Sequence, residues 1–116
     1  MVAKLRHPRI LRAPRVIKYG SDFSWLDATG LALKRLGVQL KMLFCSDSAA
    51  ECRKILEHVH KPQTVFGDVL ARRPEQEEYV DVYVFTAPCQ SYSTAGNRKG
   101  AQDARGKLIK AGIGFI

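Results

Sequence analysis

The alternation of apolar and polar stretches along the chain predicts parallel strands separated by helices. Short runs rich in aliphatic and aromatic residues end at turn residues or charges, which is typical of strands buried on both faces of a sheet. Stretches with apolar residues every three or four positions separate the first three runs and predict helices. The predicted strands are Val16–Tyr19, Leu40–Cys45, Thr64–Phe66 and Val82–Phe85. This order indicates an α/β domain with about four parallel strands.

The two predicted helices should pack against this sheet through apolar stripes. The first ends at Gly37, a natural C-terminal stop, and it places three leucines on one side: Leu26, Leu33 and Leu36. The second runs from Ala49 to His60, and Ser48 with Glu51 three residues later forms a capping box at its start. We expect five of its residues to face the core: Ala49, Cys52, Ile55, Leu56 and Val59.

The charge is concentrated near the amino terminus. The 116 residues allow one domain, and the net charge is +8. No acid occurs before residue 21, and the first eighteen residues contain six basic ones: Lys4, Arg6, Arg9, Arg12, Arg15 and Lys18. We therefore expect residues 1–14 to be a basic arm without regular structure, and residues 15–116 to form the domain. The arm suits phosphate contacts, a solvated tail or an organelle-targeting remnant.

Cysteine use and hydropathy favour an intracellular protein. The three cysteines form no CxxC pair and no disulfide framework, and the three histidines lack metal-ligand spacing, so we assign no metal site. No window is long and apolar enough for a membrane span. The nucleus, a bacterial-type cytoplasm and an organelle all remain open as compartments.

The strongest chemical signal is a cysteine that directly follows the last predicted strand. Ligands of doubly wound α/β folds gather beyond the carboxyl ends of strands, where Cys89 is expected to lie. Asp47 similarly follows the second strand, about twenty residues after the first βα turn, where such folds bind ribose hydroxyls. The other interpretation of Asp47 is a charge that favours the start of the following helix.

The loop around Cys89 resembles that of the cytosine-C5 DNA methyltransferases. The resemblance covers about Val16–Leu108, and its spaced motif consists of Pro88-Cys89-Gln90, Ser93, Gly96, Lys99-Gly100 and Asp103-Ala104-Arg105-Gly106. It implies the Rossmann-like fold of S-adenosylmethionine-dependent methyltransferases, present in part. It also implies Cys89 as nucleophile, cofactor binding by Phe23, Asp47, Asp68, Pro88 and Leu108, and nucleic-acid binding by Gln90, Ser93, Arg98, Lys99 and Arg105.

The resemblance also implies a mechanism. The cysteine thiolate attacks C6 of a flipped-out cytosine, C5 then accepts the methyl group of S-adenosylmethionine, and elimination releases the cysteine. Arg98, Lys99 and Arg105 are candidates for lowering the pKa of the thiol.

The chain departs from the family at two places. In the first turn the family has Phe-x-Gly-x-Gly-Gly, and here Trp25, Asp27 and Ala28 stand where the glycines are expected. The family's later glutamate and its target-recognition region have no counterpart. We therefore expect a fragment with little activity alone, which a second chain would complement. Two alternatives are a degenerate, non-catalytic nucleic-acid-binding module and a transfer-RNA cytosine methyltransferase.

Overall fold

The computed structural model describes residues 2–5, 15–72, 79–89, 95–96, 98 and 100–115. Five strands and three helices occur in these ranges. In chain order they are β1 (Val2–Leu5), β2 (Ile17–Asp22), α1 (Ala28–Arg35), β3 (Leu40–Ser46), α2 (Ala50–His60), β4 (Thr64–Phe66), β5 (Val82–Phe85) and α3 (Ala104–Phe115). A 3₁₀ turn at Gly100–Gln102 directly precedes α3.

The strands form one sheet in the order β1-β5-β2-β3-β4. The four strands β2 to β5 are parallel, which confirms the predicted partial Rossmann-like sheet. The first strand was predicted to begin at Val16–Tyr19, and β2 starts at Ile17 and extends to Asp22. The crossover between β4 and β5 returns the chain to the other side of β2, so that the ends of β2 and β5 are adjacent. In α/β sheets such a reversal of strand order creates a ligand crevice.

β1 was not predicted. Its four residues pair antiparallel with β5, and Val2 lies opposite Phe85. The expectation of an arm without regular structure is therefore wrong for Val2–Leu5, because the free edge of β5 supplies backbone partners that a sequence pattern does not reveal. Residues 6–14 lie outside the described part of the chain.

The core has two layers, one on each face of the sheet. On the first face, α1 and α2 cover a cluster that includes Tyr19, Cys45 and Leu56, and Leu33 of α1 packs against it. On the second face, Ile109 of α3 packs against a cluster of mainly aromatic residues: Leu43, Phe44, Val80, Tyr83 and Phe85. Alternate side chains of β5 enter opposite layers, as expected for a strand buried on both faces.

The predicted helical stripes were partly wrong. Of the five stripe residues of α2, Leu56 is buried, whereas Ile55 and Val59 are 41% and 45% exposed. The edge strand beneath α2, β4, has only three residues, so the flank of the helix extends past the sheet. Leu36 is 79% exposed because α1 ends at Arg35 and Leu36 is its C-cap.

α3 covers the second face through a close approach to β5. A Cβ atom on Gly112 would lie 2.5 Å from the ring of Phe85, so only glycine permits this contact without movement of the ring. The sequence pattern did not predict this helix, because Lys107–Ile116 has little apolar periodicity and two glycines.

Candidate functional site

The loops that follow the four parallel strands meet at the carboxyl edge of the sheet, and backbone hydrogen bonds join them in series. Ser24 N–H donates to Ser46 C=O at 2.8 Å, and Asp47 N–H donates to Phe66 C=O at 3.2 Å. On the other side of β2, Thr86 N–H donates to Asp22 C=O at 3.3 Å. These bonds hold the turns after the four parallel strands together at one edge of the sheet.

The turn from β2 to α1 has an unusual backbone. Phe23, Trp25 and Asp27 have φ angles of 55°, 46° and 46°, which are left-handed values that favour glycine. Each such residue costs roughly 1–2 kcal/mol when it carries a Cβ atom. The backbone therefore has a glycine-type conformation at Trp25 and Asp27. At these two positions the family that this sequence resembles has glycines.

Asp47 and Ser24 fix this turn to the end of β3. Asp47 Oδ2 accepts the N–H of Trp25 at 3.0 Å, and its Oδ1 accepts the N–H of Ala49 at 2.9 Å. Ser24 Oγ accepts the N–H of Ser46 at 3.2 Å. The capping box predicted at Ser48 is absent, because the N-cap of α2 is Ala49 and it makes no side-chain capping bond.

A cavity of about 270 Å³ opens beside the turn. Its volume is close to the lower end of the range for small-molecule sites. The cavity lies between the ends of β2 and β5, which is the crevice expected from the strand order. Its lining comprises Ser21, Asp22, Phe23, Ser24, Trp25, Leu26, Asp27, Ala28, Thr29, Val84 and Thr86.

A buried ion pair lies at the cavity floor. The carboxylate of Asp22 accepts two hydrogen bonds from the guanidinium of Arg72, at 2.8 and 2.9 Å, and the two side chains are 0% and 2% exposed. Ser46 Oγ and Tyr83 Oη also donate to it, at 2.6 and 2.5 Å. Burial and the neighbouring carboxylate raise the pKa of Tyr83 well above its usual range, so its hydroxyl stays a donor.

Arg72 brings the segment after β4 onto the sheet. Its guanidinium lies 5.0 Å from the ring centroid of Phe44 and 5.5 Å from that of Phe66, a geometry that favours cation–π attraction. The prediction that Ala71–Tyr79 is a solvated charged connection is therefore wrong for Arg72. Its partner Asp22 is fifty residues away in sequence, and nothing in the local charge pattern indicates the pairing.

Asp27 is a second buried carboxylate of the cavity wall. It caps α1 by accepting Gly30 N–H at 3.4 Å, and Oδ1 also accepts the hydroxyl of Tyr19 at 2.7 Å. Its Oδ2 is buried without a hydrogen-bond partner in the described part of the chain. The residue is 5% exposed, so this oxygen is shielded from solvent.

His60 attaches α2 to the same turn. Its Nε2 lies 2.9 Å from the carbonyl oxygen of Leu26, to which it donates, and its Nδ1 lies 3.4 Å from Lys34 Nζ. The ring is 5% exposed. The described residues contain no group of three or more His, Cys, Asp or Glu side chains arranged to hold a metal ion.

Of the residues expected to bind the cofactor, all within the described part of the chain, only Phe23 is among those that line the cavity. Phe23 lines it, and its ring packs 6.3 Å from that of Phe85. Asp47 reaches the rim through its bond to Trp25. Asp68 is exposed in the turn after β4, and Pro88 and Leu108 are half-buried, on the loop after β5 and on α3.

The expected nucleic-acid contacts can be located only in part. Arg98 is exposed and has a left-handed φ of 54°. Arg105 is 43% exposed, and its guanidinium pairs with Asp103 at 3.2 Å at the start of α3. This ion pair with a neighbouring residue holds the guanidinium of Arg105 at the start of α3. Gln90, Ser93 and Lys99 lie outside the described residues.

The three cysteines have distinct environments. Cys89 is exposed, three residues beyond Thr86 at the cavity wall, and Cys52 is half-buried. Cys45 is fully buried, and burial raises its pKa to about 11. The pKa of Cys52 is also raised, by partial burial and by the carboxylates of Asp47 and Glu51.

We expect thiol alkylation at neutral pH to modify Cys89 first and Cys45 at least about tenfold more slowly, because the thiolate is the reactive form and must be accessible. A time course with iodoacetamide, followed by peptide mass spectrometry, measures the three rates. In urea the three cysteines should react at similar rates. Native-state modification of Cys45 as fast as that of Cys89 would contradict the burial of this thiol.

The fold defines a partial Rossmann-like α/β domain with an exposed cysteine after its last parallel strand. The chain belongs to the C-5 cytosine-specific DNA methylase family, whose model matches residues 18–116. No helix in the described part of the chain has the length and apolar character needed to cross a membrane.

Two relatives illustrate this similarity. The orphan methyltransferase M.SPRI of Bacillus phage SPR is 35% identical over 91 residues, which are 77% of this chain and 21% of that protein. The type II methyltransferase M.NlaIV of Neisseria lactamica is 27% identical over 78 residues, which are 67% of this chain and 18% of that protein. The chain therefore spans about a fifth of the length of these relatives.

Proposed function

We propose that this chain is the cofactor-binding and nucleophile-bearing part of a DNA (cytosine-5)-methyltransferase. The observation that carries the proposal is the exposure of Cys89, which follows β5 and stands three residues after Thr86 of the cavity wall. In this proposal the Cys89 thiolate forms a bond to C6 of a flipped cytosine. The activated C5 would then take the methyl group of S-adenosylmethionine, with S-adenosylhomocysteine as the leaving group, and loss of the C5 proton with cleavage of the S–C6 bond would restore the ring.

S-adenosylmethionine is the proposed cofactor, and its chemical contribution is an electrophilic methyl group. The residues present fit such a ligand: an aromatic wall at Phe23, a mostly apolar cavity and acceptor carboxylates at Asp47 and Asp68. A carboxylate has about four acceptor positions, and two of those of Asp47 accept backbone N–H groups. The remaining positions would accept hydrogen bonds from the ribose hydroxyls. Asp68 would accept the adenine amino group.

The proposed partners are duplex DNA inside the cell and a second chain that supplies the missing acid and recognition region. Exposed Arg98 would contact the phosphates of the flipped strand, together with Gln90, Ser93, Lys99 and Arg105. Since the chain spans about a fifth of the relatives, we propose that it methylates little on its own.

We expect S-adenosylmethionine to bind the purified chain in a calorimetric titration, and Asp47→Ala to weaken binding at least about tenfold. The substitution removes an acceptor and releases the turn at Trp25, and each lost hydrogen bond to a charged group is worth about 1.5–3 kcal/mol. Glu51→Ala, an exposed acid in the first turn of α2, is the matched control and should bind normally. Absence of binding by the folded wild-type chain would refute the cofactor proposal.

The net charge of +8 favours a second candidate function, a non-catalytic nucleic-acid-binding module. This module would bind DNA or RNA in a salt-sensitive manner and show no affinity for S-adenosylmethionine. A transfer-RNA substrate is distinguished from duplex DNA by direct competition between the two in the same binding assay.

A further inference from the structure

The few charged groups of this mostly apolar cavity are mainly carboxylates. Its wall contains Asp22 and Asp27, and Asp47 lies at its rim. The charge of Asp22 is matched by Arg72. Neither Asp27 nor Asp47 takes part in an ion pair among the residues that the structure describes.

Asp27 has unused capacity to interact with a cation. One of its oxygens is shared by Tyr19 and Gly30, and the other is buried without a hydrogen-bond partner in the described residues. A buried charge is costly when it is not compensated, and its field extends far in a medium of low dielectric constant. A positive charge in the adjoining cavity would offset this cost.

Trp25 supplies a second group that attracts cations. It is the single tryptophan of the chain, it lines the cavity, and it is 64% exposed. Its backbone is held in the left-handed region by the bond from its N–H to Asp47. A large apolar side chain that is exposed on a strained backbone at a cavity rim suggests a role in ligand contact rather than in packing. Indole rings are the best aromatic partners for cations.

We propose that Trp25 and Asp27 make this cavity selective for the positive charge of its ligand, so that it prefers the sulfonium S-adenosylmethionine to the neutral thioether S-adenosylhomocysteine. The inference rests on the proposed cofactor, and it assigns specificity to two residues that occupy glycine positions of the resembling family. The face of the Trp25 ring attracts the sulfonium group by direct contact. The buried carboxylate of Asp27 attracts it by making the electrostatic potential in the cavity more negative.

The test compares the affinities of the purified chain for the two ligands by calorimetry. The wild-type chain should bind S-adenosylmethionine more tightly, and Trp25→Leu should reduce this preference roughly three- to thirtyfold, the range of a cation–π contact. Leucine carries the same backbone strain as tryptophan, so the substitution changes the ring alone. Trp25→Phe keeps an aromatic face and should retain most of the preference.

Asp27→Asn removes the charge but keeps an acceptor for Tyr19 and Gly30, and asparagine tolerates the left-handed backbone. We expect Asp27→Asn to reduce the preference for S-adenosylmethionine over S-adenosylhomocysteine. The control Glu57→Gln, on the exposed face of α2, should leave this preference unchanged. In chains that retain Trp25, quenching of its fluorescence by the ligand reports contact at the cavity rim.

The outcomes separate this inference from the proposed function. Binding of both ligands with equal affinity, or a preference that survives both Trp25→Leu and Asp27→Asn, overturns the charge selectivity and leaves cofactor binding intact. Failure of the folded wild-type chain to bind either ligand overturns the proposed function and, with it, this inference.

Discussion

Replacing Arg72 with alanine is expected to lower the free energy of unfolding by about 3–5 kcal/mol, a large part of the stability of a domain of this size. The substitution leaves the carboxylate of Asp22 buried and without its counter-ion, although Ser46 and Tyr83 still donate to it. It also removes the guanidinium from the ring of Phe44. Urea unfolding followed by circular dichroism measures the change.

A double-mutant cycle distinguishes the ion pair from general loss of packing. Asp22→Ala should also destabilise strongly, but the double variant Asp22→Ala, Arg72→Ala should be more stable than the sum predicts, by about 1–3 kcal/mol. Arg15→Ala is the control, since Arg15 is 53% exposed in its pair with Asp81 and should cost less than about 1 kcal/mol. Additivity of the two single variants within about 0.5 kcal/mol would argue against a coupled buried pair.

Replacing Cys89 with serine is expected to abolish covalent trapping of DNA that contains 5-fluorocytosine. Fluorine replaces the hydrogen at C5, so no proton can be removed from C5 after methyl transfer and the S–C6 bond formed by the thiolate is expected to persist. Serine keeps the size of the side chain but is a far weaker nucleophile at neutral pH. The adduct is measured as a shift in denaturing electrophoresis in the presence of S-adenosylmethionine.

Because the chain covers about a fifth of its relatives, this experiment needs the remaining parts. A suitable protein is a chimera of M.SPRI in which the segment that matches this chain over 91 residues is replaced by the corresponding segment of this chain. Two versions are compared, one with cysteine and one with serine at position 89. Cys52→Ser in the same protein is the control, because Cys52 lies on α2 and should not affect trapping. Trapping that persists in the Cys89→Ser protein would identify a different nucleophile.

The parallel sheet could be predicted from sequence because three of its strands contain short apolar or aromatic runs, whereas β2 carries polar residues and was recognised only from its start. Val82–Phe85 is buried at every position, and its abrupt end at Thr86 is the basis of the prediction that Cys89 lies beyond the carboxyl end of a strand. β1 and α3 were missed, since one depends on a free strand edge and the other on the fit of Gly112 against Phe85.

The polar part of the site was harder to predict, because its contacts join residues far apart in sequence. Asp22 and Arg72 are separated by fifty positions, and Arg72 stands in a charged stretch that resembles exposed loop. The left-handed backbone at Trp25 could not be predicted from sequence either, because the residue at this position is not a glycine. Asp47 was predicted to be a ligand residue from its place after the second strand, and its bonds to the turn are visible only in the fold.

The antiparallel pairing of β1 has a practical consequence for labelling. Val2 lies opposite Phe85, four residues before Cys89, so the amino end of β1 lies at the same edge as the cavity. A dye attached at the amino end of β1 would therefore lie on the same edge as Trp25. Energy transfer from Trp25 to this dye would measure the distance between β1 and the turn after β2, and a change on addition of a ligand would report movement of either element.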